Sequence, residues 1–227
     1  MHPLDRPVWA SLTGAHESLS QGGPLARRYV SSVNLFASAR DDSPQALAAL
    51  AELLRPGEQV FILQVPEIVV PPALKAVKRG RGVQMLATRL LRDETAHADL
   101  DCLPLGDADA IDMLQLAQLT EPGPFLARTH TMGRFLGVRE GRQLVAMAGE
   151  RFRPPGHVEV SGVCTHPQWR GRGLALRLSA TVAAAIQDRG DTPFLHAWKS
   201  NRAAIELYRQ LGFEQRCEVD VAVLERT

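Results

Sequence analysis

Apolar and polar positions repeat with two different periods along the chain, and the changes of period mark out its elements. Residues 25–36 mix Tyr, Val and Phe with polar side chains and predict a strand. Ser43 and Pro44 open an Ala/Leu-rich stretch over residues 45–54 that stops at Pro56-Gly57. Serine at the cap with proline just inside starts a helix, and Pro-Gly ends one. Residues 59–65 and 82–89 read as strands, and Arg79, Gly80, Arg81 and Gly82 as a surface turn. Residues 91–104 carry more charge and end in Pro104, which predicts a domain junction near residue 100.

The second half is more legible. Residues 107–119 predict a helix with Ile111, Leu114 and Leu119 on its apolar face. Residues 134–138 and 143–152 predict two strands around a hairpin turn at Glu140-Gly141, and residues 158–165 a third strand ended by Pro167. A helix over residues 173–188 follows, with Leu174, Leu178, Val182 and Ile186 at i, i+4 spacing and a stop near Gly190. Residues 193–198 predict a strand, 201–210 a helix stopped by Gly212, and 213–224 a final strand region. Strands in a row, then strand–helix–strand–helix–strand, indicate a mixed α/β sheet.

The segment from Val163 to Ala175 joins a strand to a helix through a basic, glycine-rich loop. Gly171 and Gly173 let the backbone approach a ligand closely. The first amides of a helix lack partners within it and lie at the positive end of its dipole. Arg170 and Arg172 add fork-shaped donors, and the whole describes a phosphate cradle. A Walker loop would need Gly-Lys-Ser/Thr, which is absent. A dinucleotide fingerprint fails at its third glycine, since Leu174, Ala175 and Leu176 follow Gly173, so a nicotinamide-dependent oxidoreductase ranks far behind.

The strand–turn–Arg-x-x-Gly-x-Ala pattern resembles the acyl-CoA pyrophosphate loop of the GNAT-type N-acetyltransferases. A second stretch is similar to the other hallmark of that family: Asn201, then Ala204-Ile205, Tyr208 and Leu211-Gly212-Phe213. The resemblance covers residues 105–227, is strongest from Glu159 to Phe213, and lies nearest the branch related to glycine N-acyltransferases. It implies a GNAT fold, a mostly antiparallel mixed sheet flanked by helices. Residues 101–227 would form the acetyltransferase domain and residues 1–100 a degenerate GNAT-like half.

The resemblance also implies roles. Acetyl-CoA is the co-substrate, and a small-molecule, amino-acid-like amine is the acceptor in direct transfer. The backbone of Val163, Cys164 and Thr165 would bind the pantetheine where neighbouring strands splay. Arg170, Gly171, Arg172, Gly173, Leu174 and Ala175 would cradle the pyrophosphate, and Asn201 would contact the pantetheine arm. Tyr208 would act as the acid on the departing sulfur, as suits a phenol with a pKa of about 10. Glu159, alone among valines on its strand, is the candidate general base, its pKa raised beside an apolar cleft. The alternative is a non-catalytic acyl-CoA-binding module.

Composition narrows this further. The chain has 227 residues, 26 Lys+Arg against 25 Asp+Glu and a net charge of +1, so no global field attracts nucleic acid or anionic lipid. Three scattered cysteines (Cys102, Cys164, Cys217) fit neither a disulfide scaffold nor a zinc site and read as packed thiols. Asp93, Glu94 and His97 make a weak metal case, and no metal is expected. His157, His166 and His196 read as packed or surface histidines, with His196 able to line an acceptor cleft. The first residues lack a secretory pattern and no apolar run approaches the ~20 residues of a membrane span. A cytoplasmic monomer or homodimer is the expectation.

Overall fold

A computed structural model of the protein describes residues 2–87 and 101–227. The expected junction and the Asp93, Glu94 and His97 group lie outside the described residues. Strands β1 (Ser20–Gly22), β2 (Ala26–Tyr29) and β3 (Ala37–Ala39) form a small antiparallel sheet. The large sheet is built from β4 (Gln59–Gln64), β5 (Leu74–Leu86), β6 (Leu103–Leu105), β7 (Phe135–Glu140), β8 (Gln143–Glu150), β9 (His157–Thr165), β10 (Thr192–Trp198) and β11 (Glu214–Arg226). Its order is β4-β11-β5-β10-β9-β8-β7-β6, and among the described residues β9–β10 is its one parallel pair. The mixed, mostly antiparallel architecture expected from the element order is the one observed. Strands β4 and β5, from the first hundred residues, pair inside this sheet with β10 and β11 from the second half.

Helices α1 (Pro7–Leu12), α2 (Pro44–Glu52), α3 (Ala110–Thr120), α4 (Leu174–Asp188) and α5 (Arg202–Gln210) cover the sheets. The Ser43 side chain caps α2 and Pro44 opens it, as its sequence dictates. Helix α4 makes the crossover that the parallel pair requires. It buries Leu178, Val182, Ala183 and Ile186 against Val158 and Val160 of β9. The opposite face of the sheet carries Phe194 of β10, Val219 and Val221 of β11, and the N-terminal segment with Leu4, Val8, Tyr29 and Phe36.

Two expectations are corrected. Helix α3 buries Met113, Leu116 and Ala117, while Ile111 and Leu119 are exposed. The inward face is rotated because it packs on Phe135, Leu144 and Met147, a neighbour that helical period alone does not identify. Residues 79–82 are not a turn but the middle of β5. Gly80 and Gly82 occur there because Trp198 and Ala197 of β10 lie against them, and a Cβ at Gly80 would stand 2.8 Å from the Trp198 ring. Among the described residues no helix is long and apolar enough to cross a membrane.

One buried histidine ties the N-terminal segment to the second half. His16 is 3% exposed, with Nδ1 2.8 Å from the Tyr29 hydroxyl and Nε2 2.9 Å from the Met132 carbonyl. A carbonyl only accepts, so Nε2 carries the proton and Nδ1 accepts from Tyr29. Burial pushes this imidazole down from 6.5 to about 4, against the Met132 bond that raises it. The unfolded chain therefore binds the extra proton first, so stability is complete above pH 6.5 and falls as the pH drops toward 4. We expect the urea stability to fall by about 2 kcal/mol between roughly pH 7 and pH 5, and the dependence to flatten in His16→Asn. An unchanged slope in that variant would assign the titration elsewhere.

Candidate active site

The site begins where two strands part. β9 and β10 pair in parallel from Thr192–His157 to Phe194–Glu159. Beyond that pair β9 turns toward β8 and bulges. Between Met147–Cys164 and Gly149–Ser161 one extra residue is accommodated on β9, with Gly162 at φ +64°. A cleft of about 790 Å³ passes through the opening. Val163, Cys164 and Thr165 form one wall and Ala197 and Trp198 the other.

At one end of the cleft lies the basic loop. His166 caps the short turn Pro167–Trp169 by accepting from the Gln168 amide, and α4 begins after Gly173. Gly171 and Gly173 hold φ of +75° and +73°, a region that disfavours side chains. No side chain caps α4, so the amides of Leu174, Ala175 and Leu176 are presented at its N-terminus. Arg170, Gly171, Gly173, Leu174 and Ala175 all line the cleft, and Arg170 Nε lies 3.4 Å from the Thr165 carbonyl. Arg172 is outside the lining, its guanidinium stacked 4.2 Å from the centroid of the Trp169 ring.

Tyr208 and Asn201 reach the cleft from the helical face. Tyr208 packs edge-on against Phe213 at 5.9 Å, and burial with the nearby Glu159 charge pushes its phenol up to about 12. Asn201 caps α5, its Oδ1 accepting from the Ala204 amide at 3.1 Å, so one side of this amide is committed to the helix. Burial pushes the Cys164 thiol up to about 11, which keeps it protonated and inert as a nucleophile. All three cysteines are free thiols.

Glu159 departs from expectation. It is fully buried on the face opposite Tyr208, and its carboxylate accepts from Arg151 Nε and Nη2 at 2.7 and 2.8 Å, from His196 Nδ1 at 2.6 Å and from the Phe152 amide at 3.3 Å. Burial alone would raise its pKa, but the Arg151 charge and the hydrogen bonds from Arg151 and His196 outweigh it, and the carboxyl is held at about 2. The raised pKa expected from an apolar neighbourhood is thus overturned. Sequence could not place Arg151, eight residues earlier, on the adjacent strand end.

Two partners went unnoticed in the sequence. Arg151 stacks on Phe36 and Phe152, with its carbon centre 5.1 and 4.5 Å from the ring centroids. Gln84 of β5, fully buried, donates from Nε2 to the Leu4 carbonyl and to His196 Nε2. Its Oε1 accepts from Arg216, which is paired with Asp5 at 2.7 Å. A polar residue amid the apolar pattern of β5 was the available signal. His196 does line the cleft, whereas His157 and His166 bond to nearby backbone groups.

A family model described as FR47-like protein matches residues 135–221. A putative acetyltransferase of the GNAT family from Novosphingobium aromaticivorans is 40% identical over the whole of both chains, and its crystal structure superposes with a TM-score of 0.92. A GCN5-related N-acetyltransferase from Kribbella flavida shares the fold with a TM-score of 0.66 at 17% identity, over 100% of this chain and 96% of that one. Among curated proteins, the N-alpha-acetyltransferase RimI of Mycobacterium tuberculosis is 34% identical over 40% of this chain and 56% of its own length. The mycothiol acetyltransferase of Thermobifida fusca is 29% identical over 66% of this chain and 46% of its own. The chain thus spans about half the length of the curated relatives it matches.

Removing the Glu159 charge would leave the half-buried Arg151 without a counter-ion and a fully buried carboxamide in place of the carboxylate. Glu159→Gln is expected to cost about 3–5 kcal/mol of stability, read as a lower urea midpoint at an unchanged m-value. A shift below about 1 kcal/mol would show that the pair is not structural.

Proposed function

The chain belongs to the GNAT family of acetyltransferases, and on that premise we propose that it transfers an acetyl group from acetyl-CoA to the amine of a small molecule. The observation that carries this reading is the cleft, which runs from an uncapped helix N-terminus, through parted strands, to an apolar end. The residues fit the donor they would hold. Open backbone at Gly171 and Gly173, the first amides of α4 and the Arg170 guanidinium suit a pyrophosphate. Arg172, stacked on Trp169, stands by as a second cation at the rim. The backbone of Val163, Cys164 and Thr165, past the last β9–β10 pair, suits the amides of a pantetheine arm, as does the uncommitted side of Asn201.

Acetyl-CoA supplies an activated thioester when bound. The neutral acceptor nitrogen bonds to the thioester carbon, the carbon–sulfur bond breaks, and the Tyr208 phenol gives its proton to the departing thiolate. The proton that the nitrogen sheds returns to the phenolate by way of solvent. The raised pKa of the Tyr208 phenol keeps its own proton in place at neutral pH. Glu159 takes no proton in this scheme. It is a positioning residue that fixes Arg151 and His196. The finer likeness to glycine N-acyltransferases has no support among the named relatives, and the acceptor is not taken from it. In the proposed division the second half holds the donor, while Phe36, Phe61 and Leu63 of the first half share the acceptor end with Val219 and Val221 of β11.

Tyr208→Phe is expected to lower kcat by about 100-fold or more, while the CoA dissociation constant stays within about twofold. Stopped release of CoA thiol measures the first, and calorimetry the second. Unchanged turnover would remove Tyr208 from the acid role. Binding of CoA with no amine-dependent release would leave a binding module.

A further inference from the structure

The end of the cleft away from the basic loop is built from Phe36, Phe61, Leu63, Val219 and Val221. The Phe36 and Phe61 rings stand 5.6 Å apart at 54°. These side chains come from the N-terminal segment, β4 and β11, and none is needed to hold a CoA moiety at α4. They form an apolar seat for the body of the acceptor.

The acceptor must lose a proton before it attacks, and the groups facing it bear on how. Among the described residues, the titratable or charged side chains lining the cleft are Glu121, Arg151, Cys164, Arg170, His196 and Tyr208. Arg170 stands at the donor end. Cys164 and Tyr208 keep their protons, because burial raises both. Arg151 is a cation already paired with Glu159. Behind the lining, Glu159 has both oxygens engaged, and Glu150 on β8 is paired with Arg189. On β11, Asp220 alternates away from Val219 and Val221 and accepts from the Ile68 amide. Glu121 lies on the exposed loop that follows α3.

His196 is the remaining candidate base, and its lone pair is taken. The Gln84 amide cannot turn over, because Arg216 donates to its oxygen at 2.9 Å and its nitrogen donates to the Leu4 carbonyl at 2.9 Å. That nitrogen therefore donates to His196 Nε2 at 3.0 Å, and Nδ1 carries the proton that reaches Glu159. Both imidazole nitrogens are thus engaged, one by Gln84 and one by Glu159. Among the described residues, none of the side chains that build the seat is a base, and the one carboxylate in the cleft lining is that of Glu121 on the exposed loop.

We infer that the acceptor is an α-amino group carried next to an apolar side chain, seated among Phe36, Phe61 and Val221. This rests on the acetyl-transfer reading and narrows its substrate. An α-amine, with a pKa of about 7.7–8.0, is neutral in roughly one molecule in ten near pH 7, whereas a lysine-type amine at about 10.4 is neutral in only one in roughly a few thousand. Moving a cation into an apolar seat is unfavourable without a counter-charge. A seat with no base among its own side chains favours the amine that is more often deprotonated on arrival.

The test uses the full chain with acetyl-CoA and four acceptors: phenylalanine amide, leucine amide, Nα-acetyl-lysine amide and spermidine. The kcat/KM for the first two should exceed that for the last two by about 100-fold or more near pH 7. The alkaline-rising limb of the pH profile should move with the acceptor's own amine, and Glu121→Gln should leave its position unchanged. Phe61→Ala should raise the KM for phenylalanine amide about tenfold while CoA affinity holds. Preference for spermidine or Nα-acetyl-lysine amide would overturn the assignment. So would a limb that stays fixed as acceptors change, or one abolished in Glu121→Gln. Failure to bind CoA in a calorimetric titration would instead overturn the acetyl-transfer reading beneath it.

Discussion

The carboxylate of Glu159 sits at the last residue where β9 still pairs with β10, and much of the site's geometry follows from how it is held there. Two nitrogens of Arg151 grip it from one side and His196 from the other. A carboxylate at 0% exposure is tolerated only with such partners, because an unpaired charge in the interior costs several kcal/mol. The same clamp fixes the strands at the point where they begin to diverge. The bulge at Gly162 then carries β9 away, and the gap becomes the passage. In the proposed reading, this ion pair serves as the hinge pin of the opening rather than as a catalytic group.

The two ends of the passage are built on different physical principles. The end proposed for the donor presents main-chain amides, glycines at positive φ and an arginine, a set that suits an anion through directed donors. The end proposed for the acceptor presents rings and branched aliphatics, a set that suits binding by exclusion of water. Tyr208 reaches the passage from the helical face of the sheet, and Arg151 and His196 from the other. Neither half of the chain holds the whole of it. β5 from the first half lies between β10 and β11, and its Gln84 reaches the histidine.

A polar chain, buried at Gln84 and Glu159 and half-buried at its ends, runs from Asp5 through Arg216, Gln84, His196 and Glu159 to Arg151. Such a chain contributes little net stability over apolar packing, but a break in it exposes an unsatisfied group. Its consequence is orientation. It sets the tautomer of His196, and through the Leu4 carbonyl it ties the first residues of the chain to the floor of the cleft. His16 serves a similar purpose some distance away, holding Tyr29 and the Met132 carbonyl together.

The elements were legible where local chemistry decides them. Ser43-Pro44, Gly173 and Asn201 are helix starts that any context would respect, and the loop from Arg170 to Ala175 lies where its glycines and arginines placed it. The mixed α/β class followed from the same short-range signals, whereas Tyr208, which local pattern alone reads as a core aromatic, was pointed to the cleft by the family resemblance. What depends on a distant neighbour was not legible. The inward face of α3 was set by β7 and β8, and the glycines of β5 answer to Trp198 and Ala197 rather than to a turn. The charge state of Glu159 was decided by Arg151 and His196, brought to it only by strand pairing. Sequence fixes which groups are present and which backbone shapes are cheap. Only the folded sheet sets the distances on which a pKa, a tautomer or an apolar seat depends.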